Sequence, residues 1–129
     1  MPVERVVDAF VAALADGAGR RVADGEWGLT LEPTAVGDWP LDIGIRLADG
    51  LLRVQAFAIP AANAPADADV LHWNRTTRLV RFARTRSGDV WVQADLPAEL
   101  VDERQLDRLL GLLAEAARAA RYAARSLSR

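Results

Sequence analysis

The stretch LDIGIRLADGLLRVQAFAI, residues 41–59, contains the clearest structural signal in this chain. Over residues 41–48, apolar side chains alternate with polar or small ones, which is the pattern of a strand with one buried face. The dipeptide Asp49-Gly50 is typical of a two-residue hairpin turn, and an apolar run at residues 51–59 follows it. The stretch therefore predicts an antiparallel β-hairpin.

Three further segments extend this hairpin into a sheet. EWGLTLEP (26–33) alternates in the same way and predicts a strand that precedes the hairpin. RLVRFARTR (78–86) and DVWVQADLP (89–97) lie on either side of turn residues 87–89, which predicts a second hairpin. The sequence thus predicts five strands, with neighbours antiparallel.

Two helices are predicted before and between these strands. Residues 3–14 repeat apolar side chains every three or four positions, and the glycines of DGAG (16–19) end the pattern. Asp67 or Asp69 is expected to cap a short helix that contains residues 70–74.

The final helix has the clearest start signal in the chain. Asp102 and Gln105 form a capping-box pattern, and the helix is expected from residue 103 to about residue 127. The order α-β-β-β-α-β-β-α predicts one α+β domain over residues 1–129. Its five-stranded antiparallel sheet is expected to have the helices packed on one face.

The residue inventory argues against an enzyme. The chain has no cysteine and one histidine, and all its 16 basic residues are arginine. Thiol catalysis, disulfides and zinc ribbons are thereby excluded, and no metal-ligand spacing is present. His72 lies in the short predicted helix, without the strand–turn–helix context of a nucleophile elbow. We therefore expect no catalytic residue, no cofactor and no metal site.

Composition also bears on location and partners. No segment approaches the roughly 20 apolar residues of a membrane-spanning helix, and the first ten residues do not resemble a signal peptide. A cytoplasmic protein is the expectation. The acidic pI of about 5.4 disfavours nucleic acid as a partner, because nucleic-acid-binding domains usually carry a strong basic excess.

An arginine-rich segment, residues 75–86, holds five arginines and no acid. In a strand, alternate residues point to opposite faces, so these arginines are divided between the two faces of the sheet. We expect a solvated hairpin in which Arg81 pairs with an acid across the sheet. The alternative is a nucleic-acid-binding regulator that uses this segment and the C-terminal arginines.

The second half of the chain resembles a known family. The matching positions are Leu71, Asn74, Arg81-Phe82, Gly88-Asp89, Val90, Val92, Ala94 and Leu96-Pro97, followed by the capped helix. Over residues 67–115 this pattern is similar to the YbjN-like family of bacterial proteins, also described as sensory transduction regulators. The resemblance implies a fold like that of type III secretion chaperones and no catalytic residues. Those chaperones are acidic homodimers that bind a protein partner in extended form.

The length of the final helix suggests a dimer interface. A helix over residues 103–127 would span roughly 37 Å, whereas a seven-residue strand reaches only about 23 Å. Its alanine-rich end is expected to overhang the sheet and to meet a second subunit, unless it packs on the first helix or frays. The interface residues predicted are Leu113, Ala117, Ala120, Arg121 and Ala124.

The sheet face turned away from the helices is the second predicted surface. Aromatic and arginine side chains in a polar setting are typical of protein interfaces. The partner-binding residues predicted are Arg53, Gln55, Phe57, Arg81, Trp91 and Gln93. For Phe57 and Trp91, core positions are favoured over this surface role, since one β-bulge would reverse their direction. The sequence thus predicts a homodimeric, non-enzymatic protein-binding module, chaperone-like or regulatory, that binds a protein partner through this sheet face or through its dimer surface.

Overall fold

A computed structural model describes residues 2–14, 17–37 and 39–127 of the chain. In chain order the elements are α1 (Val3–Ala12), β1 (Gly19–Ala23), β2 (Glu26–Leu31), α2 (Pro33–Val36), β3 (Leu41–Ala48), β4 (Leu51–Ile59), α3 (Asp67–Trp73), β5 (Arg81–Arg84), β6 (Val90–Pro97) and α4 (Glu103–Leu127). The strands form one antiparallel sheet of six in the order β1-β2-β3-β4-β6-β5.

The β3–β4 hairpin has the geometry that its sequence predicts. Asp49 (φ 54°) and Gly50 (φ 75°) both adopt left-handed backbone conformations, and Ala48 pairs with Leu51 across the turn. Two successive residues with positive φ are typical of a type I′ turn, whose twist matches the twist of the two antiparallel strands. The prediction of this hairpin is confirmed.

The predicted number of strands is wrong, because the sheet has six strands and not five. The additional strand, β1, lies at one edge and pairs with β2. Four of its five residues are exposed, including Arg20 and Arg21, so no alternation of apolar residues marks it in the sequence. An edge strand needs only one neighbour, and polar side chains are common there.

All the larger helices pack on one face of the sheet, as predicted. Helix α4 crosses β4 and β6, α1 packs on β1 and α4, and α3 packs on β5. The strand residues that point towards the helices form the core and are almost fully buried; they include Trp27, Leu29, Ile43, Ile45, Leu52, Val54, Val92 and Ala94. Burial of this apolar layer is the main force that holds the two layers together.

Helix α1 is joined to the sheet by polar contacts as well. The indole Nε1 of Trp27 donates to the Asp8 carboxylate at 2.7 Å, and Arg21 pairs with both Asp8 and Glu4 at 3.1 Å. These bonds run from α1 to the first two strands, so they fix the helix over the sheet edge.

Two details of the second half differ from the sequence prediction. Ala66, and not Asp67 or Asp69, is the N-cap of α3, and both aspartates lie in its first turn. Strand β5 begins at Arg81, three residues later than predicted, because Leu79 has a left-handed backbone (φ 64°) that interrupts the extended conformation.

The N-terminus of α4 is capped as predicted. The backbone N–H of Gln105 donates to the Asp102 carboxylate at 2.8 Å, which satisfies one of the free donors of the first turn. The helix then runs from Glu103 to Leu127, matching the predicted range.

Near the C-terminal end of α4, Arg121 anchors the helix to the rest of the domain. Its side chain is 2% exposed, and its guanidinium donates to the carbonyl oxygens of Ala58 (2.8 Å), Trp39 (2.6 Å) and Pro40 (3.2 Å). The same guanidinium lies 4.3 Å from the centre of the Trp39 ring. One side chain thus connects α4 to the end of β4 and to the segment that precedes β3.

The predicted overhang of α4 is therefore wrong. The five residues expected at a dimer interface are buried within the chain itself: Leu113 and Ala117 at 0%, Arg121 at 2%, Ala120 at 4% and Ala124 at 5% exposure. The helix packs along the sheet and on α2, so its alanine stripe is already covered. These side chains cannot meet a second subunit without opening the core.

We expect Arg121→Met to reduce the free energy of unfolding by roughly 3 kcal/mol or more, because several buried carbonyls lose their donor. Arg118→Met, at an exposed position one turn earlier on α4, should change it by no more than about 0.5 kcal/mol. Urea unfolding monitored by tryptophan fluorescence measures both. Equal losses in the two variants would contradict an anchoring role.

Candidate protein-binding face

Within the described part of the chain, the helices pack on one face of the sheet and leave the other face without a helix. We call this second face the open face. A single row of residues crosses all six strands on it, each paired in register with the next: Arg20, Gly28, Gly44, Gln55, Gln93 and Arg81. Because strand side chains alternate, the neighbours of these residues along each strand point towards the helix layer. The open face is thus a continuous surface across the whole sheet.

An ion-pair cluster lies at the β5 side of this face. The Asp95 carboxylate accepts two hydrogen bonds from Arg53, at 2.7 Å and 3.0 Å, and one from Arg81 at 3.0 Å. The bond from Arg53 lowers the pKa of Asp95 to about 2, and Arg81 adds to this shift against the opposing effect of burial. The expectation that Arg81 pairs with an acid across the sheet is confirmed. The acid is Asp95 on β6.

An aromatic pair lies beside the cluster. Phe57 and Trp91 face each other across β4 and β6, with ring centres 5.3 Å apart and planes inclined at 64°. Both are half-buried and point away from the helices, so the favoured prediction of core positions is wrong. A register shift does occur in β4, but only between Phe57 and Ile59. The direction of Phe57 therefore follows the regular alternation.

Two glycines leave the other half of the open face flat. Gly28 and Gly44 are directly opposite each other on β2 and β3. A Cβ atom added at Gly44 would meet nothing within 4 Å, and one at Gly28 would meet only the Val22 side chain at 3.6 Å. Glycine inside a strand often marks a place where another chain approaches closely. Gly28 and Gly44 leave a flat patch without side chains next to Gln55, which we call the glycine floor.

The structure brings the six predicted partner-binding residues together. Arg53 and Arg81 share Asp95, and Gln55 pairs with Gln93 between the ion-pair cluster and the glycine floor. The prediction omitted Asp95 and the two glycines. The alternation of β6 already placed Asp95 on this face, whereas the importance of Gly28 and Gly44 depends on strand pairing that one strand alone does not reveal.

The arginine-rich segment does not form a basic stripe. Arg84 points to the other side of β5, where it donates to the Pro65 carbonyl and pairs with Asp67, both at 2.7 Å. With Arg81 held by Asp95, two of the five arginines are in ion pairs. Within the described ranges, Arg75, Arg78 and Arg86 make no ion pair. The cations are dispersed, which is unlike a phosphate-binding groove.

The outer edge of β5 is closed by Asn74. The Phe82 N–H donates to the Asn74 side-chain oxygen at 2.7 Å, and the Asn74 amide nitrogen donates to the Phe82 carbonyl at 3.1 Å. One side chain thereby satisfies both backbone groups that face away from β6. An unpaired edge is a template for another strand, so Asn74 protects the sheet from edge pairing at Phe82.

Few features of this chain point to other kinds of site. His72 is exposed on α3, and no group of side chains within the described ranges is placed to hold a metal ion. Among the described helices, none combines the length and apolar character needed to cross a bilayer.

The Asp95 cluster predicts a specific pH dependence of stability. Because the folded pKa lies below the ordinary value of 3.8, the cluster stabilises the fold above that pH and loses this contribution as the pH falls towards 2. We expect wild type to lose about 1–2 kcal/mol over this interval that Asp95→Asn does not lose. Unfolding titrations at several pH values measure the difference. Asp107→Asn, at an exposed α4 position, should behave as wild type, and an unchanged profile in Asp95→Asn would contradict the assignment.

Closure of the β5 edge is tested by amide hydrogen exchange. In Asn74→Ala the Phe82 amide loses its acceptor, so its exchange should accelerate at least about tenfold. Asn63→Ala, an exposed asparagine before α3, is the matched control and should leave that amide protected. Equal protection of Phe82 in both variants would show that Asn74 does not close the edge.

Comparison with known proteins agrees with this architecture. A chain of the HopA1–SchA chaperone–effector complex superimposes with a TM-score of 0.72 at 15% identity, over 92% of both chains. A chain of the complex between the Yersinia pestis type III secretion chaperone SycH and a YscM2 fragment has a TM-score of 0.66 at 14% identity, over 92% of this chain and 98% of that one. A chain of the Pseudomonas aeruginosa ExoT–SpcS complex has a TM-score of 0.67 at 16% identity, over 92% and 97%.

At such identities the likeness shows the fold, which is similar to that of type III secretion chaperones. No curated protein matches the chain. The model of the YbjN family, described as "Putative bacterial sensory transduction regulator", matches residues 44–125, well over half of the chain. The matched range includes residues 67–115, whose sequence pattern resembles that family. The chain belongs to the YbjN family.

Proposed function

We propose that this chain is a non-enzymatic protein-binding module, chaperone-like or regulatory, that takes a protein partner on its open face. The observation that carries the proposal is the composition of that face. It combines the Phe57–Trp91 pair, the two arginines that Asp95 holds in place and the glycine floor. No described helix covers this surface. Arginine and aromatic side chains dominate the energetics of protein interfaces.

The cluster around Asp95 is suited to binding because it is already ordered. Arg53 and Arg81 are held in place by the same carboxylate while each keeps nearly half of its side chain exposed (46% and 45%). Ordering flexible side chains at an interface costs free energy on association. Two arginines that are positioned in the free protein reduce that cost, and they still have donors available for a partner's acceptors.

The fold neighbours support the same kind of ligand. The three complexes named above pair a secretion chaperone or a similar subunit with a second protein. A fold shared at low identity does not transfer a client, so the partner of this chain is proposed only as a protein. We also propose that it acts in the cytoplasm as a homodimer. A nucleic-acid role is not proposed, because the arginines are dispersed and partly paired.

Site-specific photo-crosslinking in the bacterial host tests the proposal. A photoreactive amino acid placed at Gln55 or Gln93 should give a discrete adduct with another protein. The same group at Arg104, exposed on α4 in the opposite layer, should not. Adducts of equal intensity at all three positions, or at Arg104 alone, would contradict binding through the open face.

Filling the glycine floor separates folding from binding. Gly44→Thr should fold with equal or greater stability, by up to about 1 kcal/mol, because the added side chain meets open space and favours a strand. The crosslinked adduct at Gln55 should nevertheless fall at least about tenfold, since a loss of 1.4 kcal/mol of binding already gives this factor. Gly111→Ala also fills open space, on α4, and should leave the adduct unchanged. Equal adduct yields in both variants would exclude the floor from the interface.

A further inference from the structure

Two arginines stand directly opposite each other on the open face, near the turn of the β3–β4 hairpin. Arg46 of β3 pairs in register with Arg53 of β4. Directly opposed side chains of an antiparallel pair have Cβ atoms only about 5 Å apart, and like charges at such positions destabilise a sheet. The fold therefore places two cations side by side at a cost to its own stability.

Each of these two arginines contacts a carboxylate of its own. Arg53 donates from Nε and Nη2 to Asp95 on β6, whereas Nε of Arg46 lies 3.7 Å from Glu26 on β2, too far for a hydrogen bond. Because β2 and β6 flank the hairpin on opposite sides, the two acids attract the guanidinium groups in opposite directions. Across the described part of the chain, Arg46 and Nη1 of Arg53 donate no hydrogen bond, so most of their donors are unused.

A surface hollow of about 270 Å³ lies beside the arginine pair. Besides Arg46 and Arg53, it is lined by Ala48, Asp49 and Leu51 at the hairpin turn. The side chains of Arg46 and Arg53 are 70% and 46% exposed, so both are accessible from solvent. Leu51 is 44% exposed and offers an apolar contact. A group that enters the hollow meets two cations and one aliphatic side chain, together with the carboxylate of Asp49.

We propose that the protein partner of the open face inserts an acidic side chain into this hollow, where Arg46 and Arg53 hold its carboxylate. The inference rests on the proposed function and names the chemistry that the partner brings. A carboxylate between the two guanidinium groups accepts their unused donors in charge-assisted hydrogen bonds and offsets the repulsion between them. Arg53 can bind it without releasing Asp95, because a guanidinium has five N–H donors and Asp95 takes two.

Asp49 should oppose the binding of an acidic group, because its carboxylate lines the same hollow. Asp49→Asn removes this charge and keeps the turn, since Asn-Gly is also a preferred sequence for a two-residue hairpin. The inference therefore predicts effects of opposite sign from two substitutions in one hollow. Binding should weaken in Arg46→Gln and become tighter in Asp49→Asn.

Titration with a short peptide, followed by nuclear magnetic resonance of the arginine Nε–H groups, tests the site. The probe is a tripeptide with glutamate between two valines, blocked at both ends, and the same peptide with glutamine is the control ligand. The signals of Arg46 and Arg53 should shift with the glutamate peptide only. Arg46→Gln should raise its Kd at least about tenfold, and Asp49→Asn should lower it about two- to fivefold. Arg20→Gln, an equal charge change at an exposed open-face position on β1, should bind as wild type.

The photo-crosslink at Gln55 extends the test to the natural partner. In Arg46→Gln the adduct should fall at least about tenfold, whereas the thermal unfolding midpoint should stay at or above that of wild type because the like-charge pair is gone. Arg20→Gln should leave the adduct unchanged. If the adduct persists undiminished in Arg46→Gln, this inference is wrong and the proposed function stands.

Three results of the titration also overturn the inference. They are equal Kd values in Arg46→Gln and Arg20→Gln, equal shifts with the glutamate and glutamine peptides, and tighter binding of dimethyl phosphate than of the glutamate peptide. The last result would show a site for phosphate and not for a carboxylate. If wild type gives no adduct at all, the proposed function is wrong, and the titration still decides whether the hollow binds a carboxylate.

Discussion

The burial of the Arg121 guanidinium is the interaction on which the rest of the architecture depends. A charged group that is 2% exposed must have its donors satisfied, and here they are taken by carbonyls at the end of β4 and in the segment that leads into β3. These carbonyls belong to parts of the chain that are distant in sequence. The position of α4 along the sheet is therefore fixed at its C-terminal half by directional bonds, in addition to apolar packing.

Fixing α4 in this way divides the surface of the domain into two parts with different roles. The helices pack on one face of the sheet and form the core with it. The polar and aromatic side chains of the other face contact no described helix. At the β5 edge, Asn74 occupies the backbone groups of Phe82, so strand addition there is opposed. The open face, on the layer opposite the helices, is the surface that we propose for a partner.

Much of this fold follows from the sequence, because short-range patterns determine it. Alternation and the Asp49-Gly50 turn define the central hairpin, and the parity of β4 and β6 correctly directs six side chains to the open face. Strand β1 escaped prediction because four of its five residues are exposed, so only its pairing with β2 and its contact with α1 identify it as a strand. The burial of Arg121, which the sequence places at a dimer interface, likewise depends on long-range contacts. An arginine at a helical position is usually solvated, and only the tertiary arrangement reveals carbonyls that receive it.

In the free protein, the open face is exposed to solvent while the helices pack on the other face of the sheet. Nuclear magnetic resonance with a soluble paramagnetic probe measures this directly. We predict strong broadening of the side-chain amide signals of Gln55 and Gln93 and of the Gly44 signals. Protection of these signals, with broadening confined to the helix side, would show that the open face is covered and would contradict its exposure in the free protein.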